Sequence, residues 1–144
     1  MKNINVTETS FAGMFTKIRE EATWPTLGTE FAGAFDLYAT EGQPLRRDAE
    51  EASLFRTGIG LIIPQGHHVQ FWPRSSKGKQ RILIHGGFID YDFRRELVVM
   101  LSYIGPNYLY ISPGEKIAQM SFVACLMPGV PSLDRGPGFG STDK

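Results

Sequence analysis

The residues best suited to chemistry lie in the segment HGGFIDYDFRREL, at positions 85–97. Asp90 and Asp92 alternate there, so an extended backbone points both carboxylates to the same face. A carboxylate that is ionised at neutral pH can act as a general base or associate with a divalent cation. The segment alone is equally consistent with a structural role, in which Arg94 and Arg95 balance two acids that flank a turn.

The two glycines before this pair predict the shape of the local backbone. Gly86 and Gly87 form a dipeptide typical of tight turns, which predicts a β-hairpin or a bulged turn leading into Phe88 and Ile89. Such a turn presents backbone amides and carbonyls. A pocket made of backbone groups can match the edge of a pyrimidine and exclude larger substituents by close fit.

The segment WPRSSKGK, at 72–79, carries the parts of a phosphate-binding cradle. Arg74 offers a bidentate guanidinium, and Ser75 and Ser76 offer hydroxyl groups. Gly78 lets the backbone approach a ligand closely, while two lysines add positive charge. Taken by itself, a basic turn of this kind is more often a solvated loop.

Three further clusters hold polar residues in places that suggest ligand binding. Asp36 lies inside the apolar run GAFDLYAT, where an unpaired carboxylate would be costly, although a strand-end aspartate that caps a turn would look the same. Gln119 lies near the start of a strand after the turn SPGE. The C-terminal RGPGFGST offers Arg135 for a phosphate and Phe139 for stacking, in a glycine-rich stretch that suits either a lid or a linker.

The elements that must position these clusters are short strands punctuated by Gly and Pro. Six segments rich in β-branched and aromatic residues predict strands, at 58–64, 67–73, 81–85, 96–104, 108–112 and 117–127. Their spacing predicts an all-β sandwich or barrel. The stretch 44–55 is rich in helix formers, and we favour a charged surface loop there over a short helix. The stretch 14–22 has a weakly helical pattern.

Length and charge limit the class of protein. The 144 residues fit one β domain at 1–134, followed by a flexible arm at 135–144. Lys plus Arg and Asp plus Glu each number 15, so a protein that grips duplex nucleic acid through phosphate neutralisation is disfavoured. We see no secretion signal and no apolar run long enough to cross a bilayer, which predicts a cytoplasmic protein without a membrane partner.

Several other reactive side chains are predicted to be structural. Cys125 is the only cysteine and lies in an apolar run, which predicts a buried thiol and excludes an internal disulfide. His67 and His68 lie beside a turn, before a strand, and are predicted to be exposed imidazoles. Trp72 is predicted to lie in the core or at an interface.

In their order along the chain, these clusters resemble the five motifs of the trimeric dUTP pyrophosphatase (dUTPase) family. The matching segments are GAFDLYAT, PRSSKGK, GGFIDYDFRREL, PGEKIAQM and RGPGFGST, which together run from about residue 28 to the C-terminus. The resemblance implies a homotrimer of jelly-roll-like β domains in which three subunits build each site. It also implies hydrolysis of dUTP to dUMP and pyrophosphate, which keeps uracil out of DNA.

The resemblance assigns a role to each matched residue. Asp90 would orient and deprotonate the water that attacks the α-phosphorus, and Asp36 would hold Mg²⁺ through its water shell. The other matched residues would bind substrate: Arg74, Ser75, Ser76 and Gln119 at the phosphates, Gly87, Phe88 and Ile89 at uracil, Phe93 at the deoxyribose, and Arg135, Phe139, Gly140 and Ser141 in the closing arm.

The chain departs from the family pattern at a few positions. Phe93 stands where the family usually has Tyr, and Arg95 stands where it usually has Gly. The fifth motif is one residue shorter between Arg135 and Phe139, and Pro137 stiffens it. These departures concern lid closure and turnover rate more than nucleotide binding.

Two alternatives come from different functional classes. A dCTP deaminase-like enzyme would share the fold but would need a carboxylate that activates water at the base. The Ile-Asp-x-Asp-aromatic pattern at 89–93 favours the dUTPase instead. A nucleotide-binding signalling trimer with little turnover would keep the site and use it as a switch, which the altered fifth motif permits.

Overall fold

The computed structural model describes residues 14–130 and the backbone of Ile4–Asn5. The predicted arm at 135–144 therefore lies outside the described residues, together with Arg135, Phe139, Gly140 and Ser141. No helix in the described part has the length and apolarity needed to cross a bilayer.

Short strands dominate the described residues. In chain order they are β1 (Ile4–Asn5), β2 (Phe15–Lys17), β3 (Thr26–Leu27), β4 (Phe35–Tyr38), β5 (Gln43–Arg46), β6 (Ser53–Arg56), β7 (Ile59–Leu61), β8 (His67–Trp72), β9 (Ile82–His85), β10 (Phe88–Ile89), β11 (Val98–Tyr103), β12 (Tyr108–Ile111) and β13 (Lys116–Ala124), with one helix, α1 (Ser75–Lys79), between β8 and β9. All six predicted strands are confirmed, with small shifts at their ends.

The strands form antiparallel sheets. The largest has the order β1-β3-β4-β13-β8-β10, a second has the order β6-β11-β9, and two pairs, β12-β5 and β2-β7, complete the described architecture. The long strand β13 lies between β4 and β8, so it brings the first and fourth motifs together on one sheet, beside the second motif, which begins where β8 ends.

The core is apolar and lies between the sheets. In β11 the side chains of Val99, Leu101 and Tyr103 are buried, while their neighbours are half-buried. This alternation is what a strand with one face on the core requires. Completely buried Leu37 and Leu101 each contribute roughly 1.5–3 kcal/mol through removal of their side chains from water.

The helix predictions need correction. The segment 44–55 contains the end of β5, an exposed turn and the start of β6. β5 pairs with β12 and β6 pairs with β11, and Leu45 and Phe55 on these strands are buried in the core. The favoured surface loop is confirmed only between the two strands, at 47–52. The helical pattern at 14–22 is wrong, since Phe15–Lys17 forms β2 with Phe15 in the core. The one helix of the described residues, Ser75–Lys79, forms where a basic turn was predicted.

The predicted hairpin at Gly86 and Gly87 is wrong, because the strands on either side of the two glycines do not pair with each other. β9 pairs with β11 in the three-stranded sheet, whereas β10 pairs with β8 in the six-stranded sheet. The two glycines, with φ angles of 67° and 91°, turn the chain from one sheet to the other. The carbonyl of Gly87 accepts a hydrogen bond of 2.9 Å from the amide of Phe71, which anchors the crossing.

Replacing Gly87 by alanine should destabilise the fold. The positive φ disfavours any side chain by about 1–2 kcal/mol, and an added Cβ would lie 3.3 Å from the Cβ of Phe71. The matched control is Gly78→Ala, whose Cβ would meet no atom within 4 Å and whose helical position favours alanine. Urea denaturation measures both variants. Equal stability of Gly87→Ala and the wild type would contradict this account of the crossing.

Candidate functional site

The first candidate site is an open depression of about 670 Å³ on the six-stranded sheet. Its polar lining includes Asp36, Arg74 and Gln119, which the sequence analysis selected from three separate motifs. Gln119 of β13 lies opposite Asp36 of β4 on one side and opposite Trp72 of β8 on the other. Cross-strand partners share a sheet face, so this register is what gathers the three motifs.

Asp36 is the electrostatic centre of this depression. It lies within β4 and is only 5% exposed, so the alternative of a strand-end cap is wrong. One carboxylate oxygen accepts a hydrogen bond of 3.3 Å from Nε of Arg74, and the other lies 3.5 Å from Nζ of Lys116. Two cations therefore offset the cost of burying this carboxylate.

Arg74 connects the depression to the start of α1. It is the N-cap residue of the helix, and its Nη1 donates a hydrogen bond of 3.3 Å to the hydroxyl of Ser76. Ser75 and Ser76 occupy the first turn, where helix amides lack acceptors within the helix. The guanidinium thus lies between a carboxylate and a hydroxyl, in a position to exchange either partner for an anion.

Lys77 has a structural role that the sequence did not reveal. It is buried, and its ammonium pairs with the carboxylate of Glu115, in the turn before β13. The other oxygen of Glu115 accepts a hydrogen bond of 2.9 Å from the amide of Ser112. This lysine therefore ties α1 to the fourth motif and does not line the depression.

Burial and pairing act in opposite directions on Glu115. Burial raises the pKa of its carboxyl, but the hydrogen bonds from Lys77 and Ser112 and the charge of Lys77 outweigh it. The pKa of Glu115 is consequently lowered from 4.5. The folded state therefore favours the ionised form of this side chain.

The second candidate site surrounds the end of β10. Asp90 and Asp92 are exposed, while Tyr91 and Phe93 pack against the core, as the predicted alternation requires. The amide of Phe93 donates a hydrogen bond of 3.0 Å to the carbonyl of Asp90, which closes a turn. Asp90 is thus a solvent-accessible carboxylate on a backbone that its neighbours hold in place.

The arginines after this turn do not neutralise the two aspartates. The guanidinium of Arg94 donates hydrogen bonds of 2.7 Å and 3.0 Å to the carbonyls of Tyr91 and Phe93. Among the described residues, no ion pair joins Asp90 or Asp92 to an arginine. The structural alternative, in which nearby arginines balance the pair, is therefore not favoured.

Two adjoining depressions flank this turn. One, of about 500 Å³, is lined by Phe88, Ile89, Asp90 and Phe93 with neighbouring polar residues. The other, of about 480 Å³, adds an apolar wall from β6 and β11 to Ile89 and Phe93. Neither shares a lining residue with the depression around Asp36. Within one copy of the chain, the predicted site residues therefore lie in separate depressions.

Comparison with known proteins identifies the family. A family model for dUTPase matches residues 20–142. The chain belongs to the dUTPase family. The resemblance inferred from the five motifs is confirmed, as is the all-β, jelly-roll-like fold class of the family.

Related sequences and structures agree with this assignment. A deoxyuridine 5'-triphosphate nucleotidohydrolase from Hydrogenobaculum sp. is 33% identical over 136 residues, which cover 88% of this chain and 94% of the relative. The enzyme of that name from Rattus norvegicus is 34% identical over 138 residues, covering 90% and 66%. The dUTPase from Staphylococcus aureus phage phi11 has a TM-score of 0.73 at 17% identity, covering 87% and 97%, a likeness of fold alone.

The match identifies a dUTP diphosphatase and gives no support to the two alternatives. Neither a deaminase nor a signalling trimer with little turnover is indicated by the family to which the chain belongs.

The depression around Asp36 is also lined by residues that sequence reasoning missed. Lys116 lines the depression beside Gln119, and its place in PGEKIAQM was the available signal. Trp72 is 46% exposed in the depression, where its indole donates a hydrogen bond of 2.7 Å to the hydroxyl of Ser121. The predicted core position is therefore wrong, and the alternative of an interface position stays a prediction. The predicted burial of Cys125 and the predicted exposure of His67 and His68 are wrong, since all three side chains are half-buried.

The Lys77–Glu115 pair predicts a pH-dependent loss of stability in Glu115→Gln. At neutral pH the variant leaves a buried ammonium without its counter-charge and should lose about 1.5–3 kcal/mol. The lowered pKa of Glu115 means that this contribution is fully present above about pH 4.5 and disappears as the pH falls through the folded-state pKa.

Urea denaturation of both proteins from neutral to acidic pH should therefore show a gap that narrows below about pH 4.5. The control Glu41→Gln removes an exposed carboxylate and should leave stability nearly unchanged throughout. A gap for Glu115→Gln that stays constant with pH would contradict the assigned pairing.

Proposed function

We propose that this dUTPase hydrolyses dUTP to dUMP and pyrophosphate with Asp90 as the base that activates the attacking water. The observation that supports Asp90 most is its exposed carboxylate on a turn anchored by Ile89 and Phe93, beside a depression large enough for a nucleoside. The water's oxygen would bond to the α-phosphorus and its proton would pass to Asp90. The bridging bond to the β-phosphate would break, and pyrophosphate would leave.

The depression around Asp36 would hold the phosphate chain. Arg74 supplies a guanidinium that suits bidentate contact with phosphate, while Ser75, Ser76 and Gln119 supply further donors. Hydrolysis of a phosphoanhydride depends mainly on positioning and charge neutralisation, which this set provides without a covalent nucleophile.

The donor set also fits Mg²⁺ bound with its substrate. The described residues contain no cluster of three or more His, Cys, Asp or Glu side chains able to form a protein cage. Mg²⁺ commonly keeps several waters and binds through one or two carboxylates together with substrate phosphates. Asp36 is the carboxylate of the depression and would hold the hydrated ion once Arg74 exchanged it for the phosphates. When bound, Mg²⁺ would neutralise charge on the phosphates.

The backbone around β10 would recognise uracil. Gly87, Phe88 and Ile89 lie beside the turn that carries Asp90, and the positive φ of Gly87 brings its backbone close to β8. Phe93 would stack on the deoxyribose, with the apolar wall that includes Met100 behind it. The hydroxyl that a tyrosine would provide at position 93 is absent, so this contact is purely one of packing.

The separation of the two half-sites supports a homotrimer with shared sites. Since the depression around Asp36 and the turn at Asp90 share no lining residue, the phosphates and base of one dUTP would be held by different copies. The arm at 135–144, through Arg135, Phe139, Gly140 and Ser141, would close over the site from a third copy. Three further inferences stay predictions: a domain at 1–134, a cytoplasmic location and the absence of stable nucleic-acid binding.

Asp90→Asn should abolish most turnover while leaving nucleotide binding intact. The amide cannot accept the water's proton, so kcat should fall by about 10²–10⁴-fold. Pyrophosphate release measures kcat, and titration with a non-hydrolysable dUTP analogue measures binding. Asp92→Asn, which removes the exposed partner of the pair, is the matched control and should retain turnover. Wild-type kcat in Asp90→Asn, or loss only in Asp92→Asn, would overturn the assignment of the base.

A further inference from the structure

The strand that delivers Asp90 is short and lies at the edge of its sheet. β10 contains only Phe88 and Ile89, and its partner in the sheet is β8, through the pairs Phe88–Gln70 and Ile89–Val69. A two-residue edge strand has few ladder hydrogen bonds to hold it, so side-chain contacts must fix its position.

One such contact is made on the outer face of β10. The rings of His68 and Phe88 stack nearly parallel, with centroids 4.0 Å apart and an angle of 14° between their planes. His68 lies two residues from Gln70, the direct partner of Phe88, so it occupies the diagonal position that a large side chain can reach. Ile89 packs against the core on the opposite face. Side-chain contacts therefore hold β10 on both of its faces.

The stack is adjacent to the proposed base. The pair Val69–Ile89 is the last of this ladder, and His68 and Asp90 are the next residues along the two segments. Both also line a depression with Phe88 and Asp92. The Nδ1 atom of His68 is buried and has no hydrogen-bond partner among the described residues. Packing therefore positions the His68 ring, which contacts Phe88 through its flat face.

We propose that His68 is a positioning residue for Asp90, acting through its stack on Phe88. The imidazole fixes the edge strand whose backbone would recognise uracil and whose end carries the base. This proposal rests on the proposed function of Asp90. Neither ring is assigned a proton transfer, so the contribution would come from holding geometry, to which catalysis is sensitive at the ångström level.

Two substitutions at His68 distinguish a role of the ring's flat face from a role of its nitrogens. His68→Ala removes the stack, and kcat for dUTP should fall by about three- to tenfold, the range expected for one aromatic pair. His68→Phe keeps a flat ring and removes both nitrogens, so kcat and its pH profile should match the wild type. The matched control His67→Ala alters the neighbouring imidazole, whose Nδ1 lies 3.3 Å from the carbonyl of Gln65, and should leave kcat unchanged.

A double-mutant cycle tests whether the effect passes through Phe88. Phe88→Ala should lower kcat as His68→Ala does, and the double variant should be no worse than either single one. The thermal midpoint of each variant is measured alongside. A general loss of folding would lower this midpoint, whereas loss of the stack alone would lower kcat in His68→Ala and leave kcat at the wild-type value in His68→Phe.

Failure of this proposal is distinguishable from failure of the proposed function. A kcat in His68→Phe as low as that in His68→Ala, or strictly additive losses in the double variant, would overturn the positioning role while Asp90→Asn stays inactive. Wild-type turnover in Asp90→Asn would instead remove the base itself.

Discussion

The arrangement of the site depends on a buried carboxylate shared by two cations. Asp36 in β4 pairs with Arg74, which follows β8, and with Lys116, at the start of β13. Removing a charge from water is costly, so a folded chain that buries Asp36 must also bring both cations to it. That requirement fixes three strands in register around Gln119 and leaves Arg74 at the mouth of the depression. A phosphate chain entering there would meet cations already gathered and oriented.

A second constraint keeps the proposed base away from this depression. Gly86 and Gly87 carry the chain between two sheets, so Asp90 emerges at the edge strand β10, and Asp36 lies beyond β8 and β13 in the same sheet. Under the proposed function, a nucleotide whose base lies at β10 and whose phosphates lie at Asp36 would be held by more than one copy. Sharing a site among subunits would then make assembly a condition of activity, and most soluble oligomers are symmetric assemblies of identical chains.

Much of the fold could be predicted because its signals are local. The alternation of Val99, Leu101 and Tyr103 shows the core face of β11 directly. Long-range pairing could not be predicted in this way. The ion pair of Lys77 joins residues 38 positions apart, and the Gly-Gly dipeptide fits a hairpin as well as a crossing between sheets. The helix at Ser75–Lys79 is too short for periodicity, and the stack of His68 depends on a register set by other strands.

Mixed trimers provide the most direct test of a site shared between copies. Arg74→Ala and Asp90→Asn lie in the two separate half-sites, and each alone should be nearly inactive. Co-assembly of the two at equal amounts should restore pyrophosphate release, because about a quarter of the sites would combine an intact Arg74 from one subunit with an intact Asp90 from another. Restored activity near that fraction is the result expected. Activity no greater than the sum of the separate variants would show that each copy works alone.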